Sequence, residues 1–310
     1  MTIGFEVCNL SRRGGAPPTI RPVRFLADNM IDLKILKDLP AWKWPEDAGE
    51  TFIKILRDDR TDVSDRQIAA ELAGDFTVIN DELANALLSI LQDSDEPEEI
   101  RGQAAISLGP VLEFADTEGF EDIESLMGLE DVTDVPITEE TFRRIQESLR
   151  RLYMDAEVPK EVRRRVLEAS VRARHDWHQD AVRAAYENDD QTWKLTAVFC
   201  MRFIHGFDEQ ILEALNSNNP DLHYEAVRAA GNWELDAAWD QIAALLTSKK
   251  TDKPLLLAAI EAIADIRPRE ASLLLVDLTD SEDEDIVEAA YEAMVMAEEL
   301  SDDEDDESLY

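Results

Sequence analysis

His175 and His178 stand three residues apart, a spacing that on one helix face could offer two imidazoles to a metal ion. A structural zinc wants four nitrogen or sulfur ligands, and neither a cysteine nor a third histidine lies near them. The intervening Asp176-Trp177 reads instead as a helix cap followed by a core aromatic. His205 and His223 are isolated. Cys200 lies inside Ala197-Val198-Phe199-Cys200-Met201, an apolar helix face that predicts a buried, inert thiol. Cys8 has no histidine nearby, and two cysteines cannot build a disulfide framework, which suits a reducing compartment. The glycine patterns of a nucleophile elbow, a phosphate loop and a dinucleotide-binding turn are all missing. Glu98-Glu99, Glu139-Glu140 and Glu282-Asp283-Glu284-Asp285 precede helices, where negative charge meets the positive end of the dipole. The last run lacks the spaced ligands and turn glycine of a calcium loop. The expectation is a protein that is not an enzyme and that holds neither metal nor cofactor.

Basic residues offer the more suggestive chemistry. Between Arg143 and Arg174 lie ten Lys or Arg against five acids, a local +5 within a chain of net charge −38. Arg143, Arg144, Arg150, Arg151, Arg163, Arg164 and Arg165 are the candidates for gripping an acidic or phosphorylated partner, because guanidinium forks match carboxylate and phosphate oxygens. The competing reading has the same arginines neutralising neighbouring acids, above all those of the stretch before them. Trp42 and Trp44 are candidate aromatic contacts for a partner, or else a cap over the first open end of the fold.

The elements that must position these residues repeat. Taking the first small or apolar residue of a recurring helical pattern as its anchor, positions 69, 104, 166, 197, 226, 258 and 289 follow one another at intervals of 35, 62, 31, 29, 32 and 31. A period near 31 is the mark of a stacked array, and 62 suggests a unit disguised by an insertion. Between anchors lies a second amphipathic segment. In Asp81–Leu91, for example, Leu83, Leu87, Leu88 and Leu91 share one helical face. Ala69, Ala104, Ala105, Ala197, Ala226, Ala258 and Ala289 are expected to pack between neighbouring repeats, small enough for helix axes to approach closely. Acids such as Asp81, Asp208 and Asp236 are placed to cap the second helices. Pro97, Pro159, Pro220 and Pro254 open the anchor helices, and Gly74, Gly109 and Gly231 stand where such helices would stop. No alternating strand pattern of useful length occurs. The fold class is all-α: an α-solenoid of seven or eight stacked antiparallel helix pairs.

Arg101 with Ala104, Ala105, Leu108 and Gly109, and their counterparts from Ala226 to Gly231, resemble the HEAT-repeat family, in the short form found in phycobilisome lyase subunits. The likeness spans roughly residues 46 to 297. It departs from long HEAT units in its shorter period and in copies without the basic residue, as at Leu255 and Ile286. The resemblance implies a protein-binding scaffold. HEAT-like hydroxylases of the deoxyhypusine type hold di-iron through His-Glu dipeptides, which this sequence lacks, and DNA glycosylases of the superfamily need a broader basic wall than a local +5.

Three segments do not repeat: an N-terminal extension over 1–40, an acidic insertion near 113–136 with nine acids and no Lys or Arg, and an acidic tail over 301–310, expected to be disordered. The repeat array occupies 41–300. Within the insertion, Phe120, Ile123 and Met127 suit a short amphipathic helix. With 31 Lys and Arg against 69 Asp and Glu, the chain repels phosphate backbones and anionic lipid, so neither nucleic acid nor membrane is an expected partner. No long apolar window or leader is evident, and a cytoplasmic location is expected. The predicted function is non-catalytic: a scaffold or adaptor binding a partner protein, with a cationic surface, along the inner face made by the second helix of each pair. The alternative is an enzyme-associated maturation factor or lyase-like chaperone subunit handling a cofactor protein. A ligand-sized apolar pocket lined by polar groups would mark that role.

Overall fold

The anchor segments all become helices, and those helices lie side by side. In the computed structural model, which describes residues 32–120 and 135–307 (for 299–307 the backbone alone), no strand occurs among the described residues. The helices are α1 (Leu33–Lys37), α2 (Ala48–Leu56), α3 (Val63–Leu72), α4 (Asp81–Gln92), α5 (Glu98–Ser107), α6 (Gly109–Glu118), α7 (Glu139–Met154) and α8 (Lys160–Ser170). They continue with α9 (Asp176–Tyr186), α10 (Gln191–Met201), α11 (Asp208–Ala214), α12 (Pro220–Asn232), α13 (Trp239–Thr247), α14 (Lys253–Ile266), α15 (Pro268–Leu275) and α16 (Glu284–Glu307). From Leu33 onward they form one unit.

Side-chain oxygens start many of these helices. Asp62, Asn80, Thr138, Asp190, Asn219 and Asp252 accept from Ser64, Leu83, Thr141, Thr192, Asp221 and Leu255 N–H groups in the first turns of α3, α4, α7, α10, α12 and α14. Asp81 and Asp236, expected as caps, do other work. Asp81 accepts the Thr138 N–H at 2.9 Å, tying the start of α4 to the start of α7, and Asp236 pairs with Arg267. Pro97 and Pro159 take the residue before α5 and α8, while Pro220 and Pro254 sit inside the first turn of α12 and α14.

Each amphipathic segment packs mainly against the anchor helix that follows it; α11 and α15 also touch the one before. The pairs are α2/α3, α4/α5, α7/α8, α9/α10, α11/α12, α13/α14 and α15/α16, seven among the described residues. The second helices of the pairs, α3, α5, α8, α10, α12, α14 and α16, stack directly on one another as an anchor row. The result is an α-solenoid. The 62-residue interval hides no unit of this row, because α8 packs straight onto α5. Its extra length is α6 and the segment leading to α7. Of that segment, residues 121–134, including Ile123 and Met127, lie outside the described ones, as do residues 1–31 and 308–310. Phe120 rests against Phe142 of α7, ring centres 5.3 Å apart.

Small residues make the close stacking possible. Ala69, Ala104, Ala105, Ala197, Ala226 and Ala258 are buried. In the last helix the register moves by one, with Ala290 fully buried and Ala289 only partly, since α16 packs on one side alone. The glycines act here too: Gly74 and Gly109 follow the ends of α3 and α5, as expected, while Gly231 ends no helix. Gly231 lies within α12, and a Cβ there would sit 2.6 Å from Ala262 Cα of α14. At Gly74 it would stand 2.5 Å from the Ser107 carbonyl oxygen of α5. Both have ordinary negative φ, so what they provide is a missing side chain at a helix crossing. Polar side chains bridge repeats at the same interval: Arg66 to Glu96, Lys160 to Asp190, Asn232 to the Arg202 carbonyl, Lys253 to Asp283 and Arg267 to Asp236 span 30 or 31 residues each. At the far end the helical backbone of α16 runs on through 301–307, seven residues of the expected tail. Once a helix is nucleated, each further residue adds one hydrogen bond at little extra cost.

Candidate functional site: a mixed-charge cleft on the anchor row

Arginines of the first repeats are taken up by the protein itself. Arg66 Nη2 donates to the Leu56 carbonyl at 3.1 Å, Arg101 Nε to Leu91 at 3.0 Å and Arg163 Nε to Tyr153 at 2.9 Å. Each carbonyl lies at the C-terminal end of the preceding helix, where it lacks an intrahelical donor and where the dipole favours a cation. Arg66 also forms an ion pair with Glu96, and Arg163 lies over the rings of Tyr153 and Trp193.

Arg164 goes deepest. Its Nε donates to Thr196 Oγ1 and the Thr192 carbonyl, both at 2.9 Å, and its Nη1 to Glu161 at 2.5 Å. Thr196 in turn donates to Glu168 at 2.6 Å, and Arg165 joins Glu161 to Glu168. Arg164, Glu168 and Thr196 are buried, so this network knits α8 to α10.

On α7, Arg143 pairs with Glu139, Arg144 donates to Asn85 of α4, and Arg151 reaches Ser148 at 3.4 Å. Arg150 is exposed and has no partner among the described residues. The seven candidate arginines thus fall into two groups, α7 outward and α8 inward. The two indoles also part. Trp42 is 79 % exposed, whereas Trp44 donates through Nε1 to the Leu36 and Leu39 carbonyls and meets Phe52 edge-on at 5.6 Å.

His178 is buried. Its Nδ1 accepts the His175 N–H and its Nε2 lies 3.1 Å from Ser170 Oγ, so both ring nitrogens are engaged. Burial, with His175 adding to it, pulls its pKa down to about 3. Cys200 is buried, and that burial pushes its thiol well above the usual range. No group of three or more metal-ligating side chains is present among the described residues.

Further along the anchor row the pattern changes. A cleft of about 40 Å³ between α12 and α14, beside the end of α10, is lined by Arg202, Arg228, Asn232, Glu261 and Asp265 over a floor of Gly231, Ala258 and Ala262. Arg202 lies over Phe199 and Phe203, and Arg228 over Tyr224. Neither guanidinium makes an ion pair or donates a hydrogen bond among the described residues, and Arg202 Nε is buried with no acceptor. Glu225 stands one turn before Arg228 with its Oε2 buried and unpartnered. Burial pushes the Glu225 carboxyl up and Arg202 down, the neighbouring Arg228 adding to the latter. Asp265 is pushed up to about 7, first by burial and then by Glu261 and Glu234. Glu234 reaches this group from the residue after the C-cap of α12. There it adopts φ 50, the one non-glycine positive φ among the described residues. Its N–H and that of Leu235 bond back to Gly231 and Ala230, the wrap-around that glycine usually closes.

Sequence reasoning missed this cleft. Its one local signal was the pair Glu261 and Asp265, like charges four apart on a single helix, a spacing that costs rather than helps.

A second hollow of about 250 Å³ lies between α2 and α4, with Arg66 and Glu96 in its wall. It is smaller than the usual range for small-molecule pockets, roughly 300–1,000 Å³.

Stacked helix pairs with a continuous inner row define a repeat protein, and the comparisons give the repeat its family. Residues 209–295, from α11 into α16, match the family model for HEAT repeats. Within that stretch the chain carries HEAT repeats. Among solved structures it is similar to the CpcE–CpcF complex of phycocyanin lyase from Nostoc sp. PCC7120, at 20 % identity over 85 % of this chain and 98 % of that one, TM-score 0.41. It is also similar to human deoxyhypusine hydroxylase, at 18 % identity over 86 % and 88 %, TM-score 0.38. No curated protein matches the sequence. No described helix is long and apolar enough to cross a membrane.

Proposed function

We propose that this protein is a non-catalytic scaffold that binds a basic partner protein along its anchor row. The observation that carries the reading is the convergence of Glu234, Glu261 and Asp265. Three carboxylates from two neighbouring repeats meet with no ion-pair partner among the described residues, and burial, with Glu261 and Glu234 adding to it, pushes Asp265 up to about 7. Half-buried like charges cost free energy that a lysine or arginine from outside would recover. The strained backbone at Glu234 supports it, because a carboxylate is kept where glycine would be easier. A net charge of −38 draws cationic proteins to the surface and sets the approach.

The test compares wild type with the charge-reversed double variant Glu261→Lys/Asp265→Lys in capture from native extract, each washed with rising salt. Basic proteins retained by wild type, released by salt and absent from the variant are the expected result. Equal recovery on both, or retention indifferent to salt, would refute the proposal.

A further inference from the structure

The two arginines of the same cleft remain unexplained by a basic partner. Elsewhere in the array a half-buried arginine has an acceptor: a helix-end carbonyl for Arg66, Arg101 and Arg163, a carboxylate for Arg164, Arg165 and Arg172. Arg202 and Arg228 have neither, yet they stand close enough for each to disfavour the other's charge. Glu225 is not their counter-ion. Its carboxyl is raised in spite of their attraction, and its inner oxygen is unpartnered. The guanidiniums are backed by Phe199, Phe203 and Tyr224, which hold the planes without using their N–H groups. The opening is small, about 40 Å³. Glu261 and Asp265 on the facing wall repel a multiply charged anion and attract a cation.

We infer that Arg202 and Arg228 together grip one carboxylate of a bound partner, supplied either by an acidic side group that neighbours a basic one or by the partner's carboxyl terminus. Two guanidinium forks on one planar carboxylate give paired, charge-assisted hydrogen bonds. The adjacent cation then meets Glu261 and Asp265. This deepens the basic-partner reading and rests on it, since the carboxylate identifies where along such a partner the cleft engages.

Three capped peptides test it on the full-length protein: Ac-Ala-Glu-Lys-NH₂, Ac-Ala-Gln-Lys-NH₂ and Ac-Ala-Gln-Lys-OH. The readouts are the NMR signal of Arg202 Nε–H and the dissociation constant. A saturable shift of that signal, with the Glu peptide or the free-acid peptide at least ten-fold tighter than the neutral one, is expected. Whichever of the two wins names the source of the carboxylate. The advantage should vanish in both Arg202→Gln and Arg228→Gln. Equal affinity for all three peptides in wild type overturns the inference, as does a preference that survives both substitutions or arises only in Glu225→Gln. Equal affinities that drop in Asp265→Asn would leave the basic-partner reading standing while removing the carboxylate site. Binding unchanged by Asp265→Asn but lost in Arg202→Gln would do the reverse.

Discussion

Arg164, near the start of α8, and Arg202, just after the end of α10, stand on two adjacent helices of one row, and they do opposite things. Around Arg164, Nε and Nη1 donate to oxygens and Nη2 lies 3.7 Å from Glu168, so the repeat boundary closes on a polar network. Around Arg202 stand rings, another cation and the acids Glu225 and Glu261, none of the acids in ion-pair contact, and the boundary stays open as a cleft. The difference teaches that arginine in a repeat array is structural where a helix end or an acid of the next repeat arrives within reach. It is available to a partner where the next repeat brings no acid or helix end into ion-pair or hydrogen-bond contact.

The comparison breaks most sharply at Arg164. Its replacement by Ala takes the donor from Thr196 and the Thr192 carbonyl and leaves buried Glu168 with Arg165 as its one cation, and chemical denaturation should show a loss of about 3–5 kcal/mol. Next comes Gly231→Ala, which forces a methyl against the Ala262 backbone and should cost about 1–3 kcal/mol.

The pH dependence of stability sharpens the contrast from the acid side. Unfolded Asp265 releases its proton near 3.8 and the folded form near 7, so between those values the folded protein holds a proton the unfolded one lacks. Its contribution to stability therefore rises as pH falls from about 7 to about 4. His178 works the other way: unfolded it protonates near 6.5, folded only near 3, so acidification below 6.5 destabilises. Subtracting the profile of Asp265→Asn from that of wild type should leave the Asp265 slope alone, and a flat difference would refute the crowding of carboxylates. Glu234→Gly should raise stability by about 1 kcal/mol through relief of the left-handed backbone, and also lower the Asp265 pKa. The smallest effect is expected at Arg202→Gln, within about 0.5 kcal/mol of wild type, because no partner within the protein is lost.

The architecture was legible because one physical requirement, close approach of neighbouring anchor helices, recurs at Ala69, Ala104, Ala197, Ala226 and Ala258 with little variation in spacing. Pairing was less so. An amphipathic stretch such as 81–92 shows which face is buried but not whether the helix before or after covers it, so its true neighbour α5 emerged only in three dimensions. The interval of 62 misled because α6 and the segment after it add about one repeat's length without adding a repeat to the anchor row. Gly231 looked like a stop since a glycine at a helix end and one at a helix crossing are the same letter, and Gly74 is both. For the cleft, charge counting pointed to 143–174, where Arg163, Arg164 and Arg165 are held within the fold and the arginines of α7 face outward. Arg202 and Arg228, 26 residues apart, carried no such density. What sets them apart is the absence of a neighbour, and a sequence does not display absences.

Along the anchor row, backbone rests nearly against backbone at Gly74 and Gly231, while the helices of the other row approach each other less closely. Such a stack behaves as a beam with one incompressible edge. Flexing it leaves the anchor edge at constant length and opens or shuts the gaps on the far side. A partner seated on the cleft would therefore feel little of that bending, and its grip would hold while the rest of the molecule sways.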